Sequence, residues 1–179
     1  MSVSQNINQL YKSLNKLSQT GIYDVEKYTC SLVHQTNQLE YFYCNLVHDG
    51  NVKDTFYNCH KMPKEHKLAY FNIGRGFPKE LMDGHWCYIL KTVGCKSVIV
   101  PCTSIKDDNI NSTYEFDIEV KMNNKRVKSR LQLSDIRTVD NQRLDIRKRL
   151  CTVLTDEKII KEKVKKFLFL LFMIIFGFF

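Results

Sequence analysis

Between Tyr114 and Val120 apolar and polar side chains alternate strictly, and Val127 to Leu133 alternates again after the pair Asn123-Asn124. A period of two buries one face of a strand and leaves the other wet. Asn-Asn between two such runs turns the chain back on itself, so the segment reads as a hairpin whose outer face carries basic residues. Three short apolar runs precede it: Leu68 to Ile73, Trp86 to Leu90 and Val98 to Cys102. Gly74-Arg75-Gly76-Phe77-Pro78 is punctuated as a loop. Thr92 to Lys96, with Gly94, reads as the turn of another hairpin, and Lys106 to Ser112 is polar and loop-like. Five closely spaced strands with short turns predict a small, strongly bent sheet or barrel.

Helical patterns flank these strands. Ile7, Leu10, Tyr11, Leu14 and Leu17 recur at steps of three and four, forming one apolar face that ends at Gly21. A second helical pattern runs from Asp24 to Leu46, and His48-Asp49-Gly50-Asn51 reads as a turn. Val52 to Tyr57 is compatible with helix or loop. Pro63-Lys64 marks the boundary to the strand region. The last quarter of the chain is expected to be helical: Asp140 caps a short turn that includes Leu144 and Ile146. Further on, Thr155 is the expected N-cap, with Asp156 and Glu157 in the first turn. Ile160, Val164, Phe167, Leu168 and Leu171 then share a stripe. Phe167 to Phe179 is apolar on every side, yet thirteen helical residues reach only ~20 Å, short of a ~30 Å hydrocarbon core. Burial in an interface is the first reading of this tail. Peripheral membrane contact, helped by the preceding lysines, and an altered reading-frame end are the others.

The chain has 27 basic and 19 acidic side chains; five of each fall in residues 1–62, leaving 22 and 14 beyond. Residues 121–149 concentrate ten basic against three acidic side chains. Such a surplus attracts phosphate backbones or anionic membrane, although spare surface lysines would look the same. The first twenty residues are polar and interrupted by Asn and Ser, so no signal peptide is expected. The seven cysteines are therefore expected as reduced thiols in a cytoplasmic protein. Cys30, Cys44, Cys59 and His60 lack the paired-ligand spacing of a zinc site, and no metal is expected.

Two stretches carry a resemblance. One is Gly84-His85-Trp86-Cys87-Tyr88-Ile89-Leu90 followed by Val98-Ile99-Val100-Pro101-Cys102-Thr103-Ser104. The other is Ile136-Arg137-Thr138-Val139-Asp140-Asn141-Gln142-Arg143-Leu144. In order, spacing and closing helix, residues 67–172 resemble the MazF/PemK family of bacterial toxins. The resemblance implies an α+β fold: an SH3-like small barrel (63–154) with a C-terminal helix (155–179), to which residues 1–62 add a helical extension. It also implies a homodimer that cleaves single-stranded RNA without metal or cofactor, as the growth inhibitor of a toxin–antitoxin pair, held inactive by an acidic antitoxin segment.

The family's catalytic threonine maps onto Thr103. Its catalytic arginine falls at His85, a departure that exchanges a fixed charge for a group suited to proton transfer. Arg75, in the glycine-flanked loop, is then the expected fixed charge on the phosphate. Ser104, Arg137 and Arg143 are candidate RNA contacts, and Phe77 and Trp86 candidate stacking platforms. Asp135 stands where the family often has a glutamine; it is expected to read a base edge or to anchor Arg75 or His85. Several have a plainer reading: Thr103 as a strand-end hydroxyl, His85 as a turn histidine, Arg75 as a solvated loop residue, Phe77 and Trp86 as core and Arg137 as a dimer-side brace. The same barrel could also bind RNA without cutting it, or serve as a membrane-peripheral protein through Phe167–Phe179.

Overall fold

A computed structural model of the chain describes residues 2–46, 62–75, 77, 80–106 and 109–175. The chain divides into two compact units, Met1–Thr55 and Phe56–Phe179.

The first unit contains α1 (Val3–Gln19) and α2 (Val25–Tyr41), followed by a π-helical turn, Phe42–Leu46. Ser2 begins α1 with a reciprocal capping box: its hydroxyl accepts from Gln5 N, and Gln5 Oε1 accepts from Ser2 N. This satisfies two amides that a helix start leaves open. Gly21 leaves α1 in the left-handed region (φ 65°), and Asp24 Oδ1 caps α2 by accepting from Lys27 N at 2.9 Å. The apolar face expected on α1 is there, but Ile7, Leu10, Tyr11 and Leu17 are all exposed. The turn expected at His48–Asn51 and the segment Val52–Tyr57 lie outside the described residues.

Among its described residues the second unit holds seven strands: β1 (Lys67–Gly74), β2 (Asp83–Val93), β3 (Lys96–Ser104), β4 (Glu115–Met122), β5 (Lys125–Gln132), β6 (Arg137–Asp140) and β7 (Cys151–Val153). Their order, β2-β1-β7-β4-β5-β3-β6, is closed by pairing of β2 with β3. Six antiparallel strands thus make a closed barrel, with β6 added on the outside edge of β3. Asn123 and Asn124 join β4 to β5 with φ of 49° and 62°, the left-handed pair that a two-residue hairpin turn requires.

Alternation sorts the core into two layers. Leu68, Tyr88, Val100, Cys102, Ile118, Val120, Leu131, Cys151 and Val153 fill the barrel. Ala69, Phe71, Cys87, Ile89 and Ile99 point outward and are covered by Val139 and Leu144. Strands β1, β2 and β3 are buried on both faces, so their sequences are continuous apolar runs; β4 and β5 have one wet face, so theirs alternate.

Asp140 caps a short turn as expected, its Oδ1 accepting from Gln142 N at 2.9 Å, but the structure corrects the expectation that the rest of the last quarter is helical. Arg137–Asp140 and Cys151–Val153 are strands, and only the short 3-10 turn Asn141–Arg143 lies between them in regular form. The helix α3 runs from Glu157 to Ile175. Asp156, not Thr155, caps it: Asp156 Oδ1 accepts from Lys158 N at 2.7 Å. Thr155 Oγ1 instead accepts from Glu119 N, because β4 presents that amide nearby. Ile160, Val164 and Phe167 join the barrel core, whereas Leu168, Phe169, Leu171, Ile174 and Ile175 are exposed. Among the described residues no helix is long and apolar enough to cross a membrane. Phe176–Phe179 lie outside them.

Candidate functional site on the outer face of β2, β3 and β5

The β2–β3 ladder keeps one register from Ile89↔Ile99 through Tyr88↔Val100 to Cys87↔Pro101. The ladder ends there; His85 and Thr103 lie two residues beyond it on their strands, and His85 pairs across β1 with Phe71 of the outer layer. Side chains two apart on a strand share a face, so alternation from Cys87 and from Ile99 puts both on the outer face, beyond the Cys87/Ile89/Ile99 layer. The imidazole is drawn toward the end of β3: His85 Nδ1 lies 3.5 Å from the Cys102 carbonyl oxygen. Both side chains are half-buried.

Across the other edge of β3, Thr103 is opposite Arg130 of β5. A polar network extends from there. Gln132 Nε2 donates to Thr103 Oγ1 (3.3 Å) and to Glu115 Oε1 (3.1 Å). Glu115 Oε2 accepts from Asn111 N and lies 3.9 Å from the Arg130 guanidinium. Arg130 forks onto Asp117 and donates to the Asn109 carbonyl. Sequence reading missed Arg130, Gln132 and Glu115. The strict alternation of β4 and β5 already put all three on the wet face; their link to Thr103 needed the β3–β5 pairing, which joins strands distant in the chain.

Arg137 opens β6 opposite Ile99, hence on this same face. Its guanidinium donates to Asp135 Oδ1 and to the Asp135 carbonyl, both at 3.3 Å, and its side chain stays one-third exposed. Burial pushes the Cys87 thiol well above its ordinary value, the neighbouring Cys102 adds to the rise, and the Arg137 charge opposes it.

The remaining expected site residues are elsewhere or engaged. Arg75 forks onto Asp83 at 2.8 and 3.0 Å and is 6% exposed, so its anchor is Asp83 rather than Asp135. Arg143 Nη1 donates to the Asn72 carbonyl at 3.2 Å. Phe77 is exposed, its amide tied to Glu80. Ser104 is exposed at the end of β3, and alternation turns it away from Thr103. Trp86 follows His85 and so faces the opposite way: it packs against the barrel core and meets the Tyr70 ring edge-on at 5.5 Å. Gly84 makes room for that pair, because a Cβ there would sit on the Tyr70 ring.

Of the zinc ligands weighed from sequence, Cys59 and His60 lie outside the described residues. Among the described residues no group of three or more His, Cys, Asp or Glu is arranged to hold a metal ion. No protein-family model matches the chain, and comparison with curated proteins finds no match. The fold defines the class, a small closed antiparallel barrel with helices before and after it in the chain.

Proposed function

We propose that the protein is an endoribonuclease that cleaves single-stranded RNA by attack of the ribose 2′-OH on its own phosphate, as the MazF/PemK resemblance implies. The observation that carries this reading is the shared outer face of His85 and Thr103 on neighbouring strands. In the reaction the 2′-oxygen bonds to phosphorus and its proton goes to a base, while the bond to the 5′-oxygen breaks and that oxygen takes a proton. The products are a 2′,3′-cyclic phosphate and a 5′-hydroxyl.

His85 is the proton carrier in this account. Thr103 Oγ1 already accepts from Gln132, so its own O–H remains to donate to a phosphate oxygen. Arg137, held at one end by Asp135, stabilises the charge that develops on the phosphorane. It takes the part first assigned to Arg75, whose fork is closed on Asp83. RNA supplies the nucleophile, so the scheme draws on no metal or cofactor. On this reading the protein inhibits growth as a cytoplasmic homodimer and is restrained by an acidic antitoxin segment.

Incubation with an RNA pool in EDTA tests the proposal. Fragments ending in cyclic phosphate support it, and His85→Ala should abolish them; an unchanged rate in that variant overturns the role. A second reading, an RNA-binding barrel without cleavage, is favoured by the closed Arg75–Asp83 and Arg130–Asp117 pairs. It predicts retained RNA with no product.

A further inference from the structure

A cavity of about 700 Å³ opens at one end of the barrel, between the β4–β5 turn and the segment that leads into β7. Trp86, Lys121, Asn123, Asn124, Lys148 and Arg149 line it. Because Trp86 faces away from His85, this cavity is separate from the outer-face site. We propose that it binds single-stranded RNA, taking a phosphate on its cations and a base against Trp86.

Four observations favour that occupant. First, the volume lies within the range of small-ligand sites, so a group can enter rather than rest on a convex surface, as an anionic membrane would require.

Second, the charge is one-sided. Among the described residues Lys121, Lys148 and Arg149 make no ion pair, and the nearby Asp145 is engaged by Arg147 through two bonds of 2.8 Å. Third, the hairpin sets Lys121 directly opposite Arg126. Like charges so opposed disfavour the sheet, and a bound polyanion relieves that repulsion.

Fourth, the cavity combines an aromatic ring with amide side chains. Stacking on an aromatic side chain holds any base, and backbone phosphates seek the surrounding cations. Asn123 and Asn124, held at the tip by their turn, present groups suited to base edges. Lys148 Nζ also lies 5.8 Å from the Tyr70 ring that abuts Trp86, which joins the cationic rim to the aromatic floor.

Trp86 is the single tryptophan of the chain, so its fluorescence reports on the cavity directly. The test titrates the intact protein with a 2′-O-methyl oligouridine hexamer, which cannot be cleaved by 2′-OH attack. Quenching that saturates is expected, and it should persist in His85→Ala, so a failure of the cleavage reading leaves this test intact. Replacing Lys121, Lys148 and Arg149 together by Gln should weaken binding at least about tenfold and lower the salt slope by about 2, at about 0.7 per lost phosphate contact on a single strand. The matched control replaces Lys158, Lys165 and Lys166, all exposed on α3, and should have a smaller effect. The proposal is overturned by an unquenched Trp86, by an equal loss in the control, by inorganic phosphate alone reproducing the full signal, or by phosphatidylserine vesicles quenching where the oligonucleotide does not.

Discussion

Arg130 and Asp117 stand directly opposite each other on β5 and β4 and are joined by two hydrogen bonds, 2.7 and 3.1 Å. The guanidinium is almost wholly buried, so this pair anchors the wet face of the hairpin rather than decorating it. Removing Asp117 leaves the buried guanidinium with the Asn109 carbonyl and the Glu115 carboxylate 3.9 Å away, a poorer set of partners. Asp117→Ala should cost about 3 kcal/mol by urea denaturation, and Arg130→Met, which removes the buried charge itself, should cost less. Equal losses in the two variants would contradict this account of the pair.

Thr103 gives a sharper test of the chemistry. Its Oγ1 is supported by Gln132 and, through that amide, by Glu115. Thr103→Ser keeps the hydroxyl and should keep measurable cleavage. Thr103→Val keeps the shape and should lose about 10²–10³ in rate, the magnitude of one donor to a developing oxyanion. Gln132→Leu should fall between them by loosening the Thr103 rotamer. The readout is the initial rate of RNA cleavage, with thermal unfolding to show that each variant is folded.

Much of this arrangement is legible in residue order, and the part that is not has a physical cause. The β4–β5 hairpin is local, specified by alternation and Asn123-Asn124, and it is found where alternation puts it. The doubly buried strands β1, β2 and β3 betray themselves as apolar runs. Strands β6 and β7 were hidden: each has only three or four residues, and each exists by pairing with a strand far away in sequence. Thr155 misleads for a related reason, since a long-range partner, Glu119 N, outcompetes the local cap. At the site, alternation alone assigns His85 and Thr103 to the outer face of strands that a hairpin joins. Trp86, one residue on, is sent to the other face by the same pleat, and Arg75 is claimed by Asp83.

A buried polar contact fastens the late segment to the barrel. Ser97 Oγ donates to Asn141 Oδ1 at 2.7 Å, Asn141 Nδ2 donates to the Gly94 carbonyl, and Asn141 N donates to the Cys95 carbonyl. Both side chains are shielded from water. Asn141→Ala leaves the Ser97 hydroxyl only the long 3.5 Å contact with Thr92 Oγ1 and should cost about 1–3 kcal/mol. Hydrogen exchange should rise first at the β3–β6 amides. Loss spread evenly over the barrel would mean that Asn141 does not fasten this segment.

The thiols should divide by location. Cys30 and Cys44 are exposed, whereas Cys87 and Cys102 are buried. Burial raises the Cys102 thiol to about 12 and the Cys87 thiol well above its usual range. Iodoacetamide at pH 8 should therefore modify Cys30 and Cys44 at once and the buried pair only with unfolding. The linkage has a definite sign. A thiol whose folded value is raised is fully stabilising below the unfolded value near 8.5, and that contribution is lost as pH climbs toward about 12. Cys102→Ala should flatten the alkaline limb of the stability curve, which circular dichroism between pH 8 and 11 would record.

The two faces of α3 should respond oppositely to mutation. Ile160 is fully buried in the barrel core, whereas Phe169 is 62% exposed. Ile160→Ala removes packed methylenes and leaves a void in a core with little slack, and should cost about 2–5 kcal/mol. Phe169→Ser removes a larger apolar side chain from water, so the isolated fold should change by less than about 0.5 kcal/mol. Urea melts of the two variants check both values. If Phe169→Ser costs as much as Ile160→Ala, the exposed side of α3 is covered in solution, and sedimentation at several concentrations would then show whether a second copy of the chain covers it.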